Sequence, residues 1–207
     1  MVRSRLELVL AMSFGAVVSA FLASGTSGPA PAFSKEPVAT IPRDNPELAT
    51  LYDEDQADRK PSGGKPIDWA VVGPRDNKRL ARAKALYAGG ELRTGKDFLR
   101  AAMVLQHANK ADDHLLAHEL CVAALAKGER KARWLAAAAE DRFLMNIGRP
   151  QRFGTQYRSS GPNDPVKLYE VGPGVTDGLR QEMDVPTLDE SRKREAMMDA
   201  MAKGKKP

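Results

Sequence analysis

Three polar groups in this chain have the side chains needed to move a proton or hold an anion: Gln106-His107, Asp141-Arg142, and Gln151-Arg152-Phe153-Gly154-Thr155-Gln156. An imidazole oriented by a carboxylate can act as general base or acid, and a guanidinium beside it can grip an anionic substrate group. In that hydrolase-like reading His107 is the base, Asp141 orients it, and Arg142 or Arg152 carries the positive charge. The same residues support a reading without chemistry, in which the Gln amides, the Arg forks and the Thr155 hydroxyl recognise a small-molecule or peptide ligand. In a third reading Asp141, Arg142 and the glutamines satisfy helix ends and anchor the segment that follows, because buried polar groups need partners. Residue types alone leave all three open.

Other constellations fall short of a chemical site. His114 and His118 are four apart, about 6 Å along a helix, which suits two ligands of one metal. Glu119 follows, but its side chain points about 100° round the helix from His118, and no cysteine or third ligand accompanies the pair. The order also differs from the His-Glu-x-x-His of zinc proteases, so the pair reads as surface or packing residues, and no metal or cofactor is expected. Neither a Gly-x-Ser-x-Gly elbow nor a phosphate-binding glycine loop is present. The single cysteine, Cys121, excludes an intrachain disulfide and lies in the apolar run Leu120 to Leu125, as a buried small hydrophobe.

The elements that must position these groups are helices. Asp44 or Asn45 caps a first helix with Pro46 in its first turn, running through Leu48, Leu51, Tyr52 and Gln56 towards Arg59. Ile67 to Val72 is an apolar patch compatible with an extended segment, and the helical period returns from Pro74 to Tyr87, stopped by Gly89-Gly90. Thr94 and Asp97 form a capping box for a helix with Phe98, Ala101, Ala102 and Leu105 on one face. Asp112 caps the next helix, which stops at Gly128, and Glu129 to Ile147 forms a third, stopped by Gly148. Short connections make these three antiparallel neighbours. The C-terminal ends of the first and third then meet the start of the second, gathering Gln106, His107, His114, Asp141, Arg142, Gln151, Arg152, Thr155 and Gln156 at one end of the bundle.

Beyond Pro150 the segments Gln151 to Arg158 and Val166 to Val171 flank a turn-rich stretch and predict a β-hairpin. A short helix is expected near Thr176 to Met183. A last one opens at Thr187 with Glu190 completing a capping box. It carries Leu188, Met197, Met198 and Met201 on its apolar side, and these are expected to pack back onto the bundle. The expected fold is mainly α: an antiparallel helical bundle or hairpin array with a small C-terminal β-hairpin.

Composition narrows the function classes. The net charge of +5 is modest and partly terminal, and no basic stripe interleaved with aromatics argues for nucleic acid. Met1 to Ala23 has Arg3 and Arg5, an apolar run of about 16 residues and a small-residue exit, which describes an export signal and falls short of the roughly 20 residues a bilayer span prefers. A periplasmic or secreted location is therefore expected, with membrane contact only through this segment if it is retained. Residues 24–43 are rich in Gly, Pro, Ser and Ala and read as a flexible linker. The folded domain is expected over 44–190, with a C-terminal helix and basic tail over 187–207.

Four short motifs in order resemble an uncharacterised bacterial family known only as a domain of unknown function, whose members are often exported. They are Asp55-Gln56-x-x-Arg59, Gln106-His107, Glu140-Asp141-Arg142 and Gln151-Arg152-Phe153-Gly154-Thr155-Gln156. The resemblance covers roughly residues 47–190 and is strongest in the last motif. It implies no activity, but it adds Asp55, Gln56 and Arg59 to the residues gathered above.

Overall fold

The computed structural model describes residues 41–60, 66–159, 161 and 164–202, which belong to one compact unit, Thr40–Pro207. The expected export segment, most of the linker, and residues 203–207 of the tail lie outside the described residues. Seven helices and one two-stranded hairpin follow along the described chain: α1 (Pro46–Asp58), α2 (Trp69–Ala88), α3 (Gly95–Leu105), α4 (Ala111–Ala126), α5 (Ala132–Asn146), β1 (Tyr157–Arg158), β2 (Lys167–Leu168), α6 (Asp177–Glu182) and α7 (Leu188–Ala202). The mainly α architecture with a small antiparallel hairpin is thus the one the sequence predicts. None of the helices searched among the described residues is long and apolar enough to cross a membrane.

Local chemistry sets most helix ends. Asn45 caps α1 by accepting from the Leu48 N–H at 3.1 Å, with Pro46 at the first helical position. The capping box of α3 is complete: Thr94 Oγ1 accepts from the Asp97 N–H at 3.1 Å, and Asp97 Oδ2 accepts from the Thr94 N–H at 3.0 Å. The same buried Asp97 accepts from the Asn45 N–H at 2.8 Å, which ties the start of α1 to the start of α3. Helices α2, α4 and α5 end alike. Gly90, Gly128 and Gly148 take φ of 71°, 83° and 72°, and the next N–H returns to the carbonyl of Leu86, Ala124 and Leu144. A side chain at these positions would strain the left-handed turn.

Two boundaries differ from expectation. The patch Ile67 to Val72 is not extended, because Asp68 accepts from the Ala70 N–H at 3.0 Å and opens α2 at Trp69. The helix then runs through Pro74, which lies in its second turn and forfeits one backbone bond. Asp112 does not cap α4: Lys110 holds the cap position without a side-chain bond, and Asp112 and Asp113 fall in the first turn. Carboxylates there still favour the helix, since they face its positive end.

The core lies among the first five helices. Leu48, Ala83, Ala101, Ala102, Leu105, Ala117, Cys121, Ala124, Ala132 and Ala139 are fully buried in one cluster, with Leu135 and Ala136 beside them. Small side chains dominate, so helix axes can approach closely, at the lower end of the usual 8–10 Å. Helix α4 packs between α3 and α5, and α3 also packs against α1 and α2. A second, smaller cluster joins Ala137 of α5 to Phe153, Val175 and Val185.

The hairpin is shorter than predicted. Tyr157 pairs with Leu168 and Arg158 with Lys167, and Gln151 meets Val171 in an isolated parallel bridge. Helix α7 is tethered to β2 by Glu195, whose Oε2 accepts from the Leu168 N–H at 3.0 Å, while Met197, Met198 and Met201 stay exposed instead of packing back onto the bundle. Residues 152–156 form no strand: the N–H group of Gln156 turns towards the Gln151 side chain, and those of Arg152, Phe153 and Thr155 turn towards a side chain of α5.

Candidate functional site

That side chain is Asp141, fully buried on α5. Its Oδ1 accepts from the backbone N–H groups of Arg152 (2.7 Å) and Phe153 (2.9 Å). Its Oδ2 accepts from the Thr155 N–H (3.0 Å) and the Thr155 hydroxyl (2.7 Å). Four donors on one carboxylate satisfy a buried charge well. The carbonyls of the same loop face the other way. Arg180 on α6, 3% exposed, donates to the carbonyls of Phe153 (3.0 Å), Arg152 (3.1 Å) and Val175 (2.7 Å). The loop is therefore held by an acid on its N–H side and a base on its C=O side.

The flanking glutamines complete this brace. The buried Gln151 amide donates to the carbonyls of Gln156 (3.1 Å) and Tyr169 (2.8 Å) and accepts from the Gln156 N–H (2.9 Å). Gln156 Nε2 donates to Thr155 Oγ1 at 2.8 Å. Gly154 takes φ 79°, and this left-handed turn calls for glycine, whereas a side chain there would meet Val171 only at ordinary contact distance. Arg152 reaches outward to Glu140 at 3.1 Å. The segment that looks richest in recognition groups spends nearly all of them inside the fold.

Asp141 therefore does not orient His107, since its two oxygens are committed to residues 152–155. The carboxylate beside His107 is Asp55 of α1, with Nε2 3.4 Å from Oδ2. That Nε2 is buried and lacks a hydrogen-bond partner among the described residues. Asp55 is itself 1% exposed and accepts from Arg59 (2.8 Å) and Gln56 (2.9 Å). Arg142 donates to Gln106 Oε1 at 3.0 Å and so links the Asp55–His107 end to the Asp141 loop. Most of the expected residues thus fall into three contact groups, Arg59–Asp55–His107, Gln106–Arg142 and Asp141–Thr155–Gln156–Gln151, joined through the neighbouring chain positions 106–107 and 141–142, while His114 meets Asn146 instead.

Electrostatics within these groups fit a brace. Burial pushes the Arg142 guanidinium down from its ordinary value, partly offset by Asp141. His114 is likewise held below the usual imidazole value, by burial first and then by Arg142, with Asp113 and nearby backbone carbonyls opposing. Its Nδ1 faces Asn146 Nδ2 at 3.2 Å, which fixes Nδ1 as the acceptor. His118 Nδ1 lies 3.0 Å from the Ala136 carbonyl. The two imidazoles thus contact α5 separately, and no group of three ligating side chains that could hold a metal is found among the described residues searched.

Sequence reading missed the ionic chain that continues beyond Arg59. Arg59 bonds Asp76 of α2 at 2.8 Å. Asp76 meets Arg79 at 2.6 Å, Arg79 meets Asp58 at 2.8 Å, and Asp58 meets Arg75 at 2.8 Å. Farther along, Arg82 holds Glu47 at 2.7 Å. Of these, Asp58, Arg75, Arg79 and Arg82 line a cleft of about 540 Å³ between α1 and α2, formed by Leu51, Glu54, Ala57 and Asp58 on one side and Arg75, Lys78, Arg79 and Arg82 on the other. The basic residues sit at helical spacing i, i+3, i+4 and i+7, a signal legible within the helix predicted from Pro74 to Tyr87. A second cleft of about 440 Å³ lies beside the Asp141 loop, with Arg149, Arg152 and Glu140 in its wall.

No family model, curated protein or solved structure matches the chain.

Proposed function

We propose that the protein is an exported binding module that takes an anionic ligand in the cleft between α1 and α2. The observation that carries this reading is the lining of that cleft, four cations against two carboxylates around a floor containing Leu51 and Ala57. Among the described residues no ion pair involves Lys78, while Arg75 and Arg82 are half exposed beyond their partners. A volume of this size suits a small organic anion or an acidic side-chain cluster, oriented by a few charged groups over an apolar base. The cleft beside Arg152 has fewer cations and a compensating Glu140, so it supports the reading less.

The acid–base alternative has less behind it. His107 has a carboxylate neighbour, but Asp55 is already committed to Arg59 and Gln56, and the contact lacks hydrogen-bond geometry. Export rests on the Met1 to Ala23 pattern, and membership of the family that the ordered motifs resemble rests on those motifs.

The test is thermal unfolding of the full chain at low ionic strength with inorganic phosphate, citrate or a hexaglutamate peptide as probe. The reading expects a saturable rise in midpoint with at least one probe, as binding to the native state alone requires. The rise should disappear in the Arg75→Ala, Lys78→Ala double variant. No response to any probe, or an unchanged response in that variant, would refute it.

A further inference from the structure

We propose that the ligand of the α1–α2 cleft carries a primary ammonium as well as acidic groups, as an acidic amino acid or the N-terminus of a short acidic peptide does. This rests on the anion-binding reading above and names the class of ligand that the same cleft takes. Most of the charge along the cleft is already balanced within the fold. Arg75 and Arg79 each lie 2.8 Å from Asp58, and Arg82 holds Glu47 at 2.7 Å. Two charged lining residues remain, Glu54 on the α1 wall and Lys78 on the α2 wall. Both are exposed, and among the described residues neither takes part in an ion pair or a side-chain hydrogen bond.

The sequence explains why these two stay unpaired. The positions three and four away from Glu54 on α1 are Thr50, Leu51, Ala57 and Asp58, and those around Lys78 on α2 are Pro74, Arg75, Ala81 and Arg82. No opposite charge lies one turn from either, so neither is neutralised along its own helix. A carboxylate and an ammonium that line one cleft without pairing frame a gap for a molecule bearing both charges. An ammonium against Glu54 and a carboxylate against Lys78 complete both pairs, with the ligand's aliphatic stem over Leu51 and Ala57. Arg75 and Arg82, half exposed on the same wall as Lys78, take further acidic groups, which favours an acidic ligand over a neutral zwitterion. A ligand with carboxylates alone would lie beside an unanswered Glu54, and like charges so placed cost affinity.

The test is isothermal titration calorimetry of the full chain with two matched pairs of probes at constant ionic strength. The pairs are glutarate against L-glutamate, which differ by one ammonium, and N-acetylated against free hexaglutamate. The amine-bearing member of at least one pair is expected to bind about two- to fivefold tighter than its partner, the gain an exposed ion pair supplies. Net charge alone predicts the opposite order, since the amine-free member is the more negative of each pair. A preference within the first pair assigns the free amino acid, and one within the second pair alone assigns a peptide N-terminus. Glu54→Gln, a change at an exposed position, should erase the preference by weakening the amine-bearing probe while the amine-free one binds at least as well. No amine preference in either pair, or a preference that survives Glu54→Gln, would overturn the proposal and leave the anion-binding reading standing. No binding of any of the four probes would overturn both.

Discussion

Replacing Asp141 by asparagine turns one of its two acceptor oxygens into a donor facing the N–H groups of Arg152, Phe153 or Thr155. The expected cost is about 3 kcal/mol or more, because buried donors lose a charged acceptor and gain none. His107→Ala is expected to cost about 1 kcal/mol or less, since its Nε2 makes no hydrogen bond among the described residues. Denaturant unfolding of the two variants checks the contrast, and a His107 loss equal to that of Asp141 would refute it. His114 gives a pH prediction. Its folded value lies below the ordinary one, so the unfolded chain takes up the proton first. Its contribution is complete above roughly pH 6.5 and is lost as pH falls towards the folded value. Unfolding measured between about pH 5 and 8 should show a slope that His114→Phe flattens; an unchanged slope would show that His114 does not cause it.

At the level of elements, what could be read from sequence divides by range. Caps that act within one turn were legible: Asn45, the Thr94 and Asp97 box, Thr187 with Glu190, and the glycines that close three helices. The start of α2 is hidden in the sequence because Pro74 reads as a first-turn proline, whereas Asp68 is the residue that caps the helix. The partners of His107, the clamp by Arg180 and the outward methionines were not legible, since each depends on which helices become neighbours. Residues 152–156 read as a strand, but a tertiary carboxylate claims the N–H groups of Arg152, Phe153 and Thr155, and the Gln151 amide claims that of Gln156. Gly154→Ala should cost about 1–2 kcal/mol through its left-handed turn. Chemical denaturation checks it, and a neutral result would show that the loop can relax. Glu195→Ala removes the acceptor of the Leu168 N–H. Hydrogen exchange should then quicken in α7 and β2 while α3 to α5 keep their protection; equal loosening of α4 would contradict the polar tether.

For the whole molecule, α1 and α2 meet each other through a chain of ion pairs beside a cleft, while Leu48, Ala83 and Leu86 anchor them in the alanine- and leucine-rich core they share with α3, α4 and α5. Once acid has passed the range of His114, its next effect should therefore fall on the α1–α2 edge. Burial opposes ionisation of Asp58 and Asp76, but hydrogen bonds and charge from Arg79 with Arg75, and from Arg59 with Arg79, outweigh it and leave both below the ordinary carboxylate value. Their contribution is present above about pH 3.9 and is lost as pH falls through the folded values. The most direct measurement is denaturant unfolding of the full chain, of Asp141→Asn and of Lys78→Ala, each with and without the anion to which the wild type responds. The account predicts a large loss of stability in Asp141→Asn with the anion response kept, and near-wild-type stability in Lys78→Ala with the response reduced. A stable Asp141→Asn, or a Lys78→Ala that still responds fully, would contradict the division of this chain into a polar brace and an open cationic cleft.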